Sequence, residues 1–116
     1  MPHAIIEYSA NLASEMQAQD ISALVHRTSI ESGLFGPENL KTRSYKAEDF
    51  HVGTKGSEGS FMHIRIYMLE GRSNEQKKEL SEKLVSAVAN AIPAIGQLSV
   101  DIRDMNRTTY AKYKGA

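Results

Sequence analysis

The chain has no cysteine, which excludes disulfides and thiol chemistry. Neither sign of charge is in excess. Lys plus Arg number 14 and Asp plus Glu number 14, so no net field draws the chain to nucleic acid, and no basic run with interleaved aromatics makes a local exception. No apolar run reaches the length of a membrane span, and no basic segment followed by a hydrophobic stretch opens the chain. A soluble, cytoplasmic protein with no nucleic-acid and no membrane partner is therefore expected. Histidine is sparse as well: His3, His26, His51 and His63 share no ligand-pair spacing and read as packing or surface residues, so no metal is expected. At 116 residues the chain can bury one core but not two, which gives a single domain over 1–116 with no linker.

What is present begins with Pro2. If Met1 is removed, Pro2 becomes a free secondary amine. An α-amino group titrates near 7.7–8.0, and burial or a neighbouring cation disfavours its charged form, so such an amine can be neutral and basic at physiological pH. His3, Ala4, Ile5, Ile6, Glu7 and Tyr8 are apolar and partly β-branched, and Ser9, Ala10 and Asn11 close them, which is the pattern of a short strand and a turn. Pro2 is thus a candidate base at a strand end, held more firmly than on a frayed tail.

After an irregular stretch, Asp20 can cap a helix whose positions Ile21, Leu24, Val25 and Thr28 share one face until Gly33. Leu34 to Pro37 turn the chain into a second strand around Leu40 to Tyr45, and Gly53, Gly56 and Gly59 punctuate a loop from Phe50 to Ser60. The order then repeats. Met62, Ile64, Ile66 and Met68 alternate with Phe61, His63, Arg65 and Tyr67 in a strand over 61–69 that Gly71 ends. Ser73 and Gln76 form a capping box for a helix with the stripe Leu80, Leu84, Val85, Val88 and Ile92, stopped by Pro93. Leu98, Val100 and Ile102 mark a last strand, and the tail from Asn106 carries Tyr110 and Tyr113. Each right-handed crossover returns its second strand parallel to its first, which predicts an α/β fold: two strand-helix-strand units in one four-stranded sheet with both helices on one face. The other face, with Phe61, Tyr67 and Leu69 on it, predicts burial against partner subunits.

Arg72 stands between Gly71 and the cap Ser73, where a helix start and a forked guanidinium both suit an anion, although an exposed arginine at a helix start is also ordinary. Lys41 and Arg43 alternate on the second strand and share a face, as a carboxylate clamp or as a wetted surface.

Pro2, the two strand-helix-strand units and the run Gly71-Arg72-Ser73-Asn74-Glu75-Gln76-Lys77-Lys78-Glu79-Leu80 resemble the tautomerase superfamily that uses an amino-terminal proline. Within it, the opening Pro2-His3-Ala4-Ile5-Ile6-Glu7-Tyr8-Ser9 and the length look like the 5-carboxymethyl-2-hydroxymuconate isomerases. The resemblance implies a homotrimer with sites near subunit boundaries, no cofactor, Pro2 as proton shuttle and Arg72 as a carboxylate ligand. It implies a second clamp from the strand of Lys41 and Arg43, where the family's arginine aligns with Lys41. A lysine keeps the charge but not the bidentate fork, so the contact falls to Lys41 or to Arg43, or binding is looser. The expected reaction is ketonisation of a small carboxylated dienol, in the degradation of homoprotocatechuate and similar aromatic acids. Phenylpyruvate tautomerisation, a dehalogenase-like hydration, and a trimeric interaction protein without catalysis are the alternatives.

Overall fold

The structure, a computed structural model, describes residues 1–115. The first strand, β1, spans His3–Ser9 and buries Ala4, Ile6 and Tyr8 while His3, Ile5 and Glu7 turn to the opposite face. A short 3-10 turn over Ala10–Ser14 leads into helix α1, Ala18–Glu31. Gln17 rather than Asp20 holds the N-cap position and makes no side-chain cap, and Asp20 lies in the first turn, where its charge still suits the helix dipole. Strand β2 runs over Lys41–Ala47 and β3 over Phe61–Leu69. Helix α2, Asn74–Ala91, starts on the expected capping box, with Ser73 accepting from the Gln76 amide and Gln76 accepting from the Ser73 amide. Strand β4, Gln97–Met105, closes the order and is longer at both ends than the alternation of Leu98, Val100 and Ile102 predicts.

The sheet order is β2-β1-β3-β4, with β1 parallel to β2, β3 parallel to β4, and the two units joined by antiparallel pairing of β1 with β3. Both crossovers are thus parallel, as the sequence predicts. Ile6, Ile64 and Ile66 of the sheet share one buried cluster with Val25 of α1 and with Leu80, Leu84 and Val88 of α2, so the helices lie together on one face. Val85 departs from the expected stripe: it is 37% exposed, because Leu84 and Val88 already fill the side of α2 that meets the sheet. The loop between β2 and β3 is a small structure of its own, with a Val52–Gly56 bridge and an edge-on contact of Phe50 with Phe61. A methyl added at Gly59 would lie 2.6 Å from the Val52 Cβ, so that loop needs a glycine there. No helix among the described residues is long and apolar enough to cross a membrane.

Candidate active site

Pro2 sits where three strands meet at one end of the sheet. Its neighbour His3 is in register with Lys41 of β2 and with Tyr67 near the end of β3, and the Pro2 carbonyl accepts from the Lys41 amide at 3.2 Å. Pro2 is buried, in step with Ala4 and Ile6 on the helix side. A strand end tied on both edges fixes the position of its nitrogen, as proton transfer over hydrogen-bond distances requires.

The surroundings are cationic. Lys41 and Arg43 occupy the same face of β2, Lys41 exposed and Arg43 half-buried. The Arg43 guanidinium donates to His3 Nδ1 at 3.1 Å, which orients the arginine toward the start of β1 and places the neutral ring's proton on Nε2. Burial first, then Arg43, Lys41 and the terminal amine, hold His3 below the usual imidazole range. Burial, followed by Lys112 and Lys41, likewise lowers the Met1 terminal amine. Charges from β2 and from the C-terminal tail therefore converge on the beginning of the chain. Any basic group there gains a proton less readily than in water.

Arg72 lies at the same end of the sheet, just past β3, but its guanidinium faces the chain's own backbone. Nη1 donates to Leu69 O at 2.9 Å, and Nε at 3.1 Å together with Nη2 donates to Leu34 O. Three of the five N–H groups of an arginine are thus engaged, and the side chain ties the β3 exit to the connection between α1 and β2. The sequence shows a cation at this turn but not these carbonyls, because Leu34 is 38 residues away.

Two contributors escape a reading of the sequence. His3 reads as a packing residue, whereas it is the partner of Arg43; the shared parity of β1 and β2 positions could have suggested it. Tyr110, in the tail after β4, donates to the Met1 carbonyl at 3.2 Å, a contact between residues 109 apart that no local pattern announces.

Two depressions of the chain lie away from Pro2: a hollow of about 300 Å³ beside His51, Phe61 and Ser99 at the far end of β3, and a groove of about 430 Å³ between α1 and β2 that reaches Arg43. Among the described residues no three His, Asp or Glu side chains come together as a metal site.

Known proteins share this fold. A structure of a 5-carboxymethyl-2-hydroxymuconate isomerase from Deinococcus radiodurans superposes with a TM-score of 0.86 at 21% identity, covering 98% of this chain and 90% of that one. A 5-carboxymethyl-2-hydroxymuconate delta-isomerase superposes with a TM-score of 0.80 at 16% identity, covering 99% and 89%. At these identities the likeness establishes the fold. A Bacillus cereus protein named "Probable tautomerase" is 40% identical over 50 residues, which is 42% of this chain and 82% of that protein. The family model for 5-carboxymethyl-2-hydroxymuconate isomerase matches residues 2–114, beginning at Pro2 itself. With that match spanning both strand-helix-strand units and the cationic end of the sheet, the chain belongs to the 5-carboxymethyl-2-hydroxymuconate isomerase family and is an isomerase.

Proposed function

We propose that the protein, once Met1 is removed, ketonises a carboxylated 2-hydroxymuconate-type dienol, 5-carboxymethyl-2-hydroxymuconate, with Pro2 as both base and acid. The observation that carries this reading is a cluster of cations at the start of the chain: Lys41, Arg43 and Lys112 act on the Met1 amine and on His3, the two residues that flank the buried Pro2, in a chain of this family. Cations and burial keep the Pro2 amine neutral, so it can take the dienol hydroxyl proton. The electrons of that O–H bond form the carbonyl, the double bonds shift along the conjugated chain, and the remote carbon takes the proton back from Pro2. Nothing is oxidised or reduced overall, so the reaction needs no cofactor.

Negative charge spreads through the dienolate between the two transfers, and fixed cations stabilise it there. Lys41 or Arg43 holds a carboxylate from the β2 side. Arg72 completes the set with the N–H groups that its backbone contacts leave over. A neighbouring subunit closes the site around Pro2, which neither the hollow beside His51 nor the groove between α1 and β2 reaches. We take the assembly to be a homotrimer; a solved relative of this fold, a fused 4-OT, is described as a symmetric trimer.

The test is turnover by Met1-free protein of 5-carboxymethyl-2-hydroxymuconate, unsubstituted 2-hydroxymuconate and enolic phenylpyruvate, followed by ultraviolet absorbance. The first should show the highest kcat/KM. Preference for phenylpyruvate would move the protein to another activity of the same chemistry, and no turnover of any of them would leave the interaction-protein reading.

A further inference from the structure

The C-terminal tail is anchored before it reaches the N-terminus. The Arg107 amide donates to Glu70 Oε2 at 2.8 Å and its Nε to Glu70 O at 3.1 Å, which pins the tail to the exit of β3. Asn106 then starts a tight turn: its side chain accepts from the Thr108 amide at 2.9 Å, and its carbonyl accepts from the Tyr110 amide at 3.0 Å. That turn aims the half-buried Tyr110 back at the sheet end, where its hydroxyl donates to Met1 O at 3.2 Å.

The Met1 carbonyl is bonded directly to the Pro2 nitrogen. Amide bond lengths put that oxygen about 2.2 Å from the nitrogen, so Tyr110 Oη lies no more than about 5.4 Å from it. When Met1 leaves, the phenol loses its acceptor, and the space between phenol and amine fits one oxygen atom bonded to carbon. That is the size and polarity of the reacting oxygen of a dienol.

We infer that Tyr110 is a catalytic residue: its hydroxyl donates a hydrogen bond to the substrate oxygen that Pro2 deprotonates, in the place held here by the Met1 carbonyl. The inference rests on Pro2 being the base. As Pro2 takes the hydroxyl proton, charge grows on that oxygen, and a donor already aimed at it strengthens in the transition state. Tyr110 keeps its own proton throughout. Lys112, two residues on in the same tail, adds its positive field to the same end of the sheet, so the tail supplies both a donor and a charge. The tail is therefore part of the site.

The experiment compares Met1-free wild type, Tyr110→Phe and Pro2→Ala on 5-carboxymethyl-2-hydroxymuconate. Tyr110→Phe should lower kcat about 10²-fold with little change in KM, the pattern for a bond made chiefly in the transition state. A wild-type kcat in Tyr110→Phe, beside slow Pro2→Ala, overturns this inference and leaves the Pro2 reading intact. Wild-type rates in Pro2→Ala, or no turnover by the wild type, overturn both. Fluorotyrosine at position 110, which keeps the side chain's shape and acidifies the phenol, covers the case of a misfolded Tyr110→Phe. It should move the basic limb of the kcat pH profile to lower pH, and an unmoved limb would exclude contact between the phenol and the reacting oxygen.

Discussion

Arg72 holds two backbone carbonyls and, in the proposed site, also a substrate carboxylate, so a single substitution removes both contacts. Arg72→Ala leaves Leu34 O and Leu69 O without their donors, which costs about 1–3 kcal/mol where water cannot replace them. It also removes a cation from the proposed site, which should lower kcat/KM about 10²-fold in the folded fraction. Urea melts and steady-state kinetics on the same sample separate the two, and a destabilised variant with wild-type efficiency would restrict Arg72 to its structural tie. Lys41→Ala and Arg43→Ala should differ, and the one that chiefly raises KM is the carboxylate clamp. His3 adds a pH dependence of known sign. Because its folded-state pKa is lowered, the unfolded chain takes the proton first as pH falls. Stability is then unaffected by His3 above the ordinary imidazole value and declines as pH drops below it toward the folded one. Protonation also removes the acceptor that Arg43 uses. The urea midpoint should fall between about pH 7 and pH 5 by more in the wild type than in His3→Gln. Equal falls would mean that other groups set the acid sensitivity.

Among the elements, α2 depends on a start that can be tested directly. Ser73→Ala removes the side-chain half of the capping box and should cost about 1 kcal/mol, which lowers Tm by about 4 °C. An unchanged Tm would mean that packing of Leu80, Leu84 and Val88 alone fixes that end. This cap is legible in the sequence because Ser73 and Gln76 satisfy each other's neighbourhood without outside help. Strand β3 is legible for a similar reason, since burial alternates at every residue of Phe61–Leu69. Strand β2 is less so. Its helix side meets α1 through polar pairs, Ser22 with Ser44 at 3.0 Å and His26 with Thr42 at 2.7 Å, so hydrophobicity does not alternate and the strand runs two residues past the expected Tyr45. That Pro2 and Lys41 begin their strands at the same end of the sheet follows from the parallel crossover, which the strand-helix-strand order predicts. The backbone partners of Arg72 and the contact of Tyr110 with Met1 do not follow from it, because both join segments that only the finished fold brings together.

At the scale of the molecule, among the described residues, the sheet has one face without helices and a free outer edge on each of β2 and β4. At the centre of the open face Arg65 pairs with Glu7 at 2.6 Å, yet its Nε is buried without a partner. Ile5, Phe61, Tyr67 and Leu69 surround this pair on the same face at intermediate burial. A lone chain would leave that surface prone to aggregation, and closed assembly of identical copies removes it. Light scattering should therefore report three chain masses at micromolar concentration; a monodisperse single chain would contradict the trimer and with it a site closed by a neighbour. The proposed proton transfer depends on the Pro2 nitrogen, which is a free amine only when Met1 is gone and otherwise belongs to an amide with no usable lone pair. The most direct measurement pairs intact mass spectrometry with dienol ketonisation rates on Met1-bearing and Met1-free preparations of the same chain. Activity should follow the Met1-free fraction, with the Met1-bearing chain slower by about 10²–10⁴. Equal rates from homogeneous Met1-bearing protein would show that Pro2 is not the base.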